Sequence, residues 1–310
     1  MNFKKVIVLI LSYNGKHLLE DSISSYLMND YPSYEIIVID NGSTDGTKEW
    51  VKKNYPNVFV LRTEKNLGYS GGFNFGLDYA FNTKNADYVL ITNNDVKADK
   101  KAISELVKLA ETDPMIGFVT GKVYYYDKPD TLQTVGKYED PIRWNGEHIG
   151  NRQIDKGQFE QISERIFADD IFTLVSKKLY LETGGYDTTF RFQSEEYDWQ
   201  ARGKKLGYKI YYTPFAKIWH KESMTIGKNS AFKAYYDARN PMLVVLIHRE
   251  ADFFRKYFWQ HFKKGVMRSS LVTLKKIRPN VALSIWKGFI SGISWGIKNK
   301  KFTIHHFIKN

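Results

Sequence analysis

The sequence predicts an α/β protein: a Rossmann-like, mostly parallel central sheet followed by a helical C-terminal extension. Three observations lead there. Short β-rich runs alternate with helical stretches through the first half, the pattern of βαβ units. Three Asp/Asn/Gly-rich segments fall at the C-terminal ends of such runs, where a parallel sheet opens its ligand crevice. Beyond residue 248 the chain turns basic and rich in aromatics.

In chain order, strands are expected at residues 5–11, 34–40, 58–61 and 88–92, separated by helices near 16–28, 47–54, 71–81 and 100–111. Residues 6–11 are apolar but too short for a secretory signal and are read as a buried first strand. From 117 to 171 the pattern becomes β-rich and polar, suiting strands and a variable wall of a second binding site. A short helix is expected over 176–183, leading to the Gly184-Gly185-Tyr186-Asp187 turn, and another over 195–206, ended by Gly207. Two strands, 209–213 and 216–219, close on His220. Residues 232–297 are mainly helical, with Pro279 as a break.

At 310 residues the chain is long enough for one large domain with an appendage. It has no cysteine, which excludes disulfides, thiolate metal sites and cysteine nucleophiles. The net charge of +12 is unevenly placed. Residues 249–310 hold 14 Lys/Arg against Glu250 and Asp252, so the whole excess lies there. Residues 1–248 are expected to form a charge-neutral body of two halves, 1–115 and 116–248. The extension, 249–310, interleaves its charge with Phe253, Phe254, Tyr257, Phe258, Trp259, Phe262, Trp286, Phe289 and Trp295, a composition suited to an anionic membrane surface. Helices packed on the body with a solvated basic face are the alternative. No nucleic-acid-binding motif accompanies the charge, so no nucleic-acid partner is expected. The stretch 282–297 is too short to span a bilayer.

Each motif has a chemical and a structural reading. Asp40, ending a β-branched run, can accept the imide N–H of a pyrimidine base, or belong with Ser43 and Asp45 to a helix cap. Gly68, Gly71, Gly72 and Gly76 let backbone approach a ligand, or only turn the chain. Asn93-Asn94-Asp95 can hold Mg²⁺ or Mn²⁺, or form an Asx turn. Glu195, Glu196 and Asp198 suit the N-terminal end of a helix dipole; one of them could also take the proton of a hydroxyl nucleophile. His220 is a surface residue or a metal ligand, and Arg239 a helix-surface residue or a phosphate partner.

Together these residues resemble the family 2 glycosyltransferases of the rhamnosyltransferase and galactofuranosyltransferase type. The likeness spans about residues 4–245. It is carried by Ser12-Tyr13-Asn14, Asp40-Asn41-Gly42-Ser43-Thr44-Asp45, Asn66-Leu67-Gly68 with Gly71-Gly72-Phe73-Asn74, Asn94-Asp95, Gly184-Gly185-Tyr186-Asp187, Glu195-Glu196-Tyr197-Asp198-Trp199, Trp219-His220, and Tyr236 with Arg239-Asn240. The resemblance implies a GT-A fold and one-step inverting transfer from an NDP-sugar (dTDP-rhamnose or a UDP-hexose). The implied acceptor is a saccharide or a polyprenyl-diphosphate-linked saccharide, in bacterial surface-polysaccharide assembly at the inner face of the plasma membrane. It makes Glu196 the catalytic base, with Asp198 and Glu195 as second choices. Asp95 and His220 become ligands of a divalent cation. Tyr13, Asn14, Asp40, Asn41, Asn66, Gly68, Gly72, Asn74, Asn94 and Arg239 become the donor-binding set. Two positions depart from the pattern: Asn93 replaces the first acid of the D-x-D motif, and Glu196 replaces the usual Asp. The rival readings are a nucleotidyltransferase, for which Ser12-Tyr13-Asn14-Gly15-Lys16 is a poor signature, and a non-catalytic saccharide-binding protein.

Overall fold

A computed structural model describes residues 3–141, 143–221 and 230–302, apart from the side chain of Asn145. Residues 303–310 of the basic extension lie outside the described residues. The first half runs β1 (Val6–Ser12), α1 (Leu19–Leu27), β2 (Tyr34–Asp40), α2 (Thr47–Asn54), β3 (Phe59–Arg62), α3 (Gly68–Asp78), β4 (Tyr88–Asn93), β5 (Val96–Ala98) and α4 (Ala102–Ala110). The second runs β6 (Ile116–Tyr125), β7 (Lys128–Thr134), β8 (Lys137–Asp140), β9 (Trp144–His148), β10 (Ser163–Glu164), β11 (Phe172–Ser176), α5 (Lys177–Thr183), α6 (Glu195–Lys205) and β12 (Lys209–His220). Then come α7 (Ala231–His248), α8 (Ala251–Gln260), a π-helical stretch His261–Arg268, α9 (Ser269–Lys275) and α10 (Pro279–Lys298).

One sheet, in the order β10-β12-β6-β11-β4-β1-β2-β3, carries the fold, with β5 on β12 and β7 on β6. Its β4-β1-β2-β3 half is parallel. In the other half β11 runs antiparallel to both neighbours, β4 and β6, while β12 is parallel to β6. β1 is buried along nearly its whole length, as a strand covered on both faces must be. Its alternate side chains feed two cores. Val6, Val8 and Ile10 meet Leu19 and Ile23 of α1 and Leu106 of α4, whereas Ile7 and Leu9 meet Phe73 of α3 and Leu179 of α5.

Residues 209–219 form one strand rather than the two expected. Pro214 interrupts it, and its register on β6 shifts between Tyr212 and Lys217. A proline has no N–H for the ladder, so the chain bulges and resumes. Pro279 opens α10 at its first turn, where a missing N–H costs nothing. The turn before it is the expected break.

The extension does not stand apart. Phe254, Phe258, Val266, Ile285 and Phe289 share a core with Met242 and Leu246 of α7, and with Trp144, Phe167, Phe190 and Tyr197 of the preceding body. α10 lies close on α7 because Gly288 has no side chain. A Cβ there would stand 2.1 Å from the Tyr235 carbonyl oxygen. Gly288→Val is therefore expected to destabilise the protein by about 1–3 kcal/mol, read as a lower urea midpoint. An unchanged midpoint would show that α10 contributes nothing to the fold.

Candidate active site

Register brings the motifs to one edge. Ser12 pairs with Asp40, Leu11 with Asn93, and Asp40 with Arg62, so the parallel strands end level. The loop after β2 is built on Asp40, which is fully buried. One carboxylate oxygen accepts from the Ser43 N–H at 2.9 Å and the other from Arg62. Arg62 also donates to the Ser43 carbonyl at 2.9 Å. Both oxygens of Asp40 thus serve the loop, and a base would meet the loop it shapes rather than Asp40 directly. Asn41 ties this loop to the next: its Nδ2 donates to the Gly68 carbonyl at 2.9 Å, and its Oδ1 accepts from the Leu67 N–H at 3.0 Å. Asn66 Oδ1 accepts from the Gly68 N–H at 2.7 Å. Asn14 caps the far side, accepting from the Thr44 N–H at 2.8 Å, beside the exposed Tyr13. A Cβ on Gly72 would stand 2.7 Å from Leu11 Cδ1 and 2.9 Å from Asn41 Nδ2, so any larger residue would have to displace the side chains of Leu11 and Asn41.

At the end of β4, Asn94 is buried and its amide donates to Ser12 Oγ at 3.3 Å. Asp95 follows, also buried. Antiparallel pairing of β5 with the end of β12 sets His220 opposite Val96 and brings its Nε2 to 3.2 Å from Asp95 Oδ1. His220 Nδ1 faces Gln133 Oε1 at 2.9 Å and must donate to it. Nε2 is then left with a lone pair against Asp95 Oδ1, a buried oxygen with no hydrogen-bond partner among the described residues. Two acceptors at that distance repel unless a proton or a cation lies between them. One carboxylate and one imidazole whose ring is oriented by Gln133 fit a divalent cation.

A second group lies at the same edge. Because β11 is antiparallel to β4, with Phe172 opposite Thr92, the residues just before β11 fall beside the end of β4. These are Asp169 and Asp170. Carboxylate oxygens of Asp170, Glu195 and Glu196 come within 4.8 Å of one another, an arrangement that could also hold a cation. The cation already present is Lys137 of β8. Its Nζ lies 3.6 Å from Glu196 Oε1, 3.6 Å from Asp169 Oδ2 and 2.6 Å from the Tyr197 hydroxyl. Burial would lower the Lys137 ammonium, but Tyr197, Asp169 and Glu196 outweigh it and push it well above the usual lysine range. Burial opposes ionisation of Asp169 too, yet Lys137, His148 and His220 hold it below the carboxylate range. The others go the opposite way. Burial, then Glu196, drives Asp170 well up; burial, then Glu196 and Asp170, does the same to Glu195. Glu196 is raised by burial and by Asp169, against Lys137. Burial and mutual repulsion thus favour the protonated forms of Asp170 and Glu195 and raise the basicity of Glu196, against which Lys137 acts.

The comparisons with known proteins agree with this geometry. The family model described as "Glycosyl transferase family 2" matches residues 7–184, more than half of the chain. The chain belongs to glycosyl transferase family 2. Among curated proteins it is similar to the poly-beta-1,6-N-acetyl-D-glucosamine synthases of Staphylococcus aureus (strain COL) and Staphylococcus epidermidis (strain ATCC 35984), at 29% and 30% identity over 225 residues. Each alignment covers 71% of this chain and 50% of the relative, so the chain spans about half the length of the curated relatives it matches. Among solved structures it resembles GalNAc-T7 with UDP, GalNAc and Mn²⁺ (TM-score 0.64, 15% identity, 96% of this chain and 58% of that one). It also resembles the mannosyltransferase PcManGT from Pyrobaculum calidifontis in complex with GDP-Man and Mn²⁺ (TM-score 0.56, 14% identity, 98% and 82%). The fold is GT-A, with a helical C-terminal region.

Within this family 2 chain, three residues read as site residues make structural hydrogen bonds. Asn74 bridges α3 to the glycine turn, donating to the Tyr186 carbonyl at 2.8 Å and accepting from its N–H at 2.9 Å. Arg239, on α7, donates to the Thr189 carbonyl at 2.9 Å and to Asn240 at 2.6 Å. Asp198 faces away from the acidic group, with Arg202 Nε at 2.8 Å and His248 Nε2 at 2.8 Å. Burial opposes its ionisation, but His248 and Arg202 outweigh that and keep it below the usual range. Asp169, Asp170, Lys137, His148 and Gln133 join the site without having been singled out in the sequence. Asp169-Asp170 directly precedes a β-rich run; only an antiparallel strand would bring that end to the crevice.

Asp198→Asn is expected to cost about 3 kcal/mol of stability, as removing one partner of a buried ion pair does. A lowered carboxyl stabilises the fold above its unfolded pKa and loses that contribution as pH falls through the folded value. The deficit in urea melts should therefore be largest near neutral pH and shrink in acid. A deficit independent of pH would show that the pair is not what Asp198 contributes.

Proposed function

We propose that the protein is an inverting, metal-dependent glycosyltransferase that moves a sugar from an NDP-sugar to a saccharide or polyprenyl-diphosphate-linked saccharide. The observation that carries this reading is the meeting of two groups at one sheet edge. The Asp95–His220 pair and the Asp170–Glu195–Glu196 group are linked electrostatically through Asp169, which feels both His220 and Lys137. Of the two donors considered, a UDP-hexose is favoured over dTDP-rhamnose, because the curated relatives are named for an N-acetylglucosamine polymer. That name and the fold also favour a role in surface-polysaccharide assembly at the inner face of the plasma membrane.

Glu196 takes the proton of the acceptor hydroxyl as its oxygen bonds to the anomeric carbon. The bond from that carbon to the diphosphate breaks on the opposite face, so configuration inverts. Asp95 and His220 would hold a divalent cation, Mn²⁺ or Mg²⁺, whose charge would offset that of the departing diphosphate. The loops braced by Asp40, Asn41, Asn66 and Asn14 shape the nucleotide cleft with Gly68 and Gly72, and Arg239 has guanidinium N–H groups left over for phosphate oxygens. Lys137 keeps Glu196 ionised among its neighbouring acids. Release of NDP rather than pyrophosphate distinguishes this reading from nucleotidyl transfer.

Glu196→Gln is expected to lower transfer by about 10²–10⁴-fold with donor binding kept, whereas Asp198→Asn loses stability instead. Native-rate transfer by Glu196→Gln would move the base to Glu195. Because Glu196 must be ionised and its carboxyl is raised, the rate should fall as pH drops through that elevated value. Lys137→Met should move this acid limb to higher pH, and Lys137→Arg should restore it; an unmoved limb would remove Lys137 from the reading.

Chelator should abolish donor turnover, and Mn²⁺ or Mg²⁺ should restore it. Asp95→Ala should weaken metal-dependent donor binding in calorimetry more than His220→Ala does. Full activity in excess chelator would overturn the metal assignment.

A further inference from the structure

α10 is apolar on two opposite sides. One side, including Ile285, Gly288, Phe289 and Gly292, is buried in the core it shares with α7. On the other, Leu283, Trp286, Ile290 and Ile297 are exposed, Ile290 by 59% and Ile297 by 64%. At 3.6 residues per turn these four fall within a wedge of about 60°. A solvated helix normally carries polar residues on that side.

The turn entering α10 adds a second, independent observation. Ile277 is 89% exposed, the highest value among the exposed large hydrophobics of the described residues. Its φ is +55°, a conformation that strains a β-branched residue. The left-handed turn itself ends α9, the Ile277 N–H returning to the Leu274 carbonyl at 2.9 Å and the Arg278 N–H to the Thr273 carbonyl at 3.0 Å; glycine is the usual residue there, and this chain places an exposed isoleucine instead. Lys275, Lys276 and Arg278 flank it, Lys287 borders the α10 stripe, and no acid follows Asp252 anywhere in the chain.

The aromatic residues that the composition suggested for a membrane surface are mostly elsewhere. Phe254, Tyr257, Phe258 and Phe289 are buried. The exposed apolar set is thus largely aliphatic and lies on a different face.

We propose that the Ile277 turn and the outer stripe of α10 form an in-plane docking surface for an anionic lipid bilayer. Charge complementarity selects this occupant: a second copy would bring the same cations against themselves. The aliphatic stripe and Ile277 enter the headgroup–acyl boundary while Lys275, Lys276, Arg278 and Lys287 meet lipid phosphates. The helix lies on the surface, since no helix of the described residues is long and apolar enough to cross a membrane.

The test is sedimentation of the full chain with vesicles of phosphatidylcholine, alone or mixed with phosphatidylglycerol. Wild-type protein should pellet with the mixed vesicles and much less with phosphatidylcholine alone. Binding should weaken as salt rises. A variant combining Ile277→Glu, Trp286→Glu and Ile290→Glu should bind at least tenfold more weakly while keeping the wild-type urea midpoint and donor turnover. Lys275→Gln and Lys276→Gln should each weaken binding by about fivefold. If the full triple variant turns out unstable, the glutamine variants alone decide. Equal pelleting of wild type and variants overturns the proposal. So does wild-type dimerisation abolished by the triple variant with no vesicle binding, which would make the face a contact between copies, or salt-sensitive retention on duplex DNA without vesicle binding.

Discussion

Strand direction is the constraint on which the site depends. A parallel sheet collects ligand-binding loops at the C-terminal ends of its strands, and here β1, β2 and β4 end level. A site made only from those ends would be rich in loops and backbone donors but poor in acids. β11 changes that by running against its neighbours. Its start, not its end, comes to the crevice, carrying Asp169 and Asp170. β12 then delivers His220 from the far side through its pairing with β5. The mixed half of the sheet therefore supplies charge to an edge that the parallel half supplies with shape.

Concentrating acids this way creates an electrostatic problem, and the side chains divide it. Lys137 neutralises part of the charge. Asp169 keeps its ionised form by drawing on Lys137, His148 and His220. Asp170 and Glu195, further from compensation, are driven toward the protonated form. Unequal division is what makes neighbouring carboxyl groups chemically different, so one can accept a proton that another already holds. Asp198 sits outside this exchange because His248 and Arg202 compensate it completely.

Much of the architecture was legible in the sequence. The parallel half was clear because apolar runs of β-branched residues are separated by helical stretches, and each motif loop fell where a strand ended. Glu195 and Glu196, Asp95 and His220 were readable as chemistry-bearing residue types. The rest was hidden for identifiable reasons. Strand polarity is not written in hydrophobic pattern, so Asp169-Asp170 lay unmarked at the end of the β-rich, polar stretch 117–171. Asp198 is two positions beyond Glu196, and helical geometry turns it to a different face. Asp40, at the end of β2, and Asn74, within α3, are polar residues of the motifs whose hydrogen bonds go to the protein's own loops. Pro214 suggested two strands where a bulge keeps one. In the extension, composition revealed charge and aromatic content but not which rings the core would take.

The bond from Asp198 to His248 has a consequence for how the chain may be divided. α6 carries Glu195 and Glu196 on its first turn and Asp198 one step along, while His248 is the last residue of α7. The next residue, Arg249, reaches Glu139 at 2.6 Å on β8, the strand that bears Lys137. The carboxylates proposed for catalysis and their compensating ammonium are thus both braced from the junction at which the charge pattern alone would place a boundary. The helices beyond it are not a detachable module. A chain cut there would lose the partners of Phe167, Tyr197 and Met242 in the shared core. Swapping this tail between relatives would therefore disturb the packing and ion pairs that brace α6 and β8.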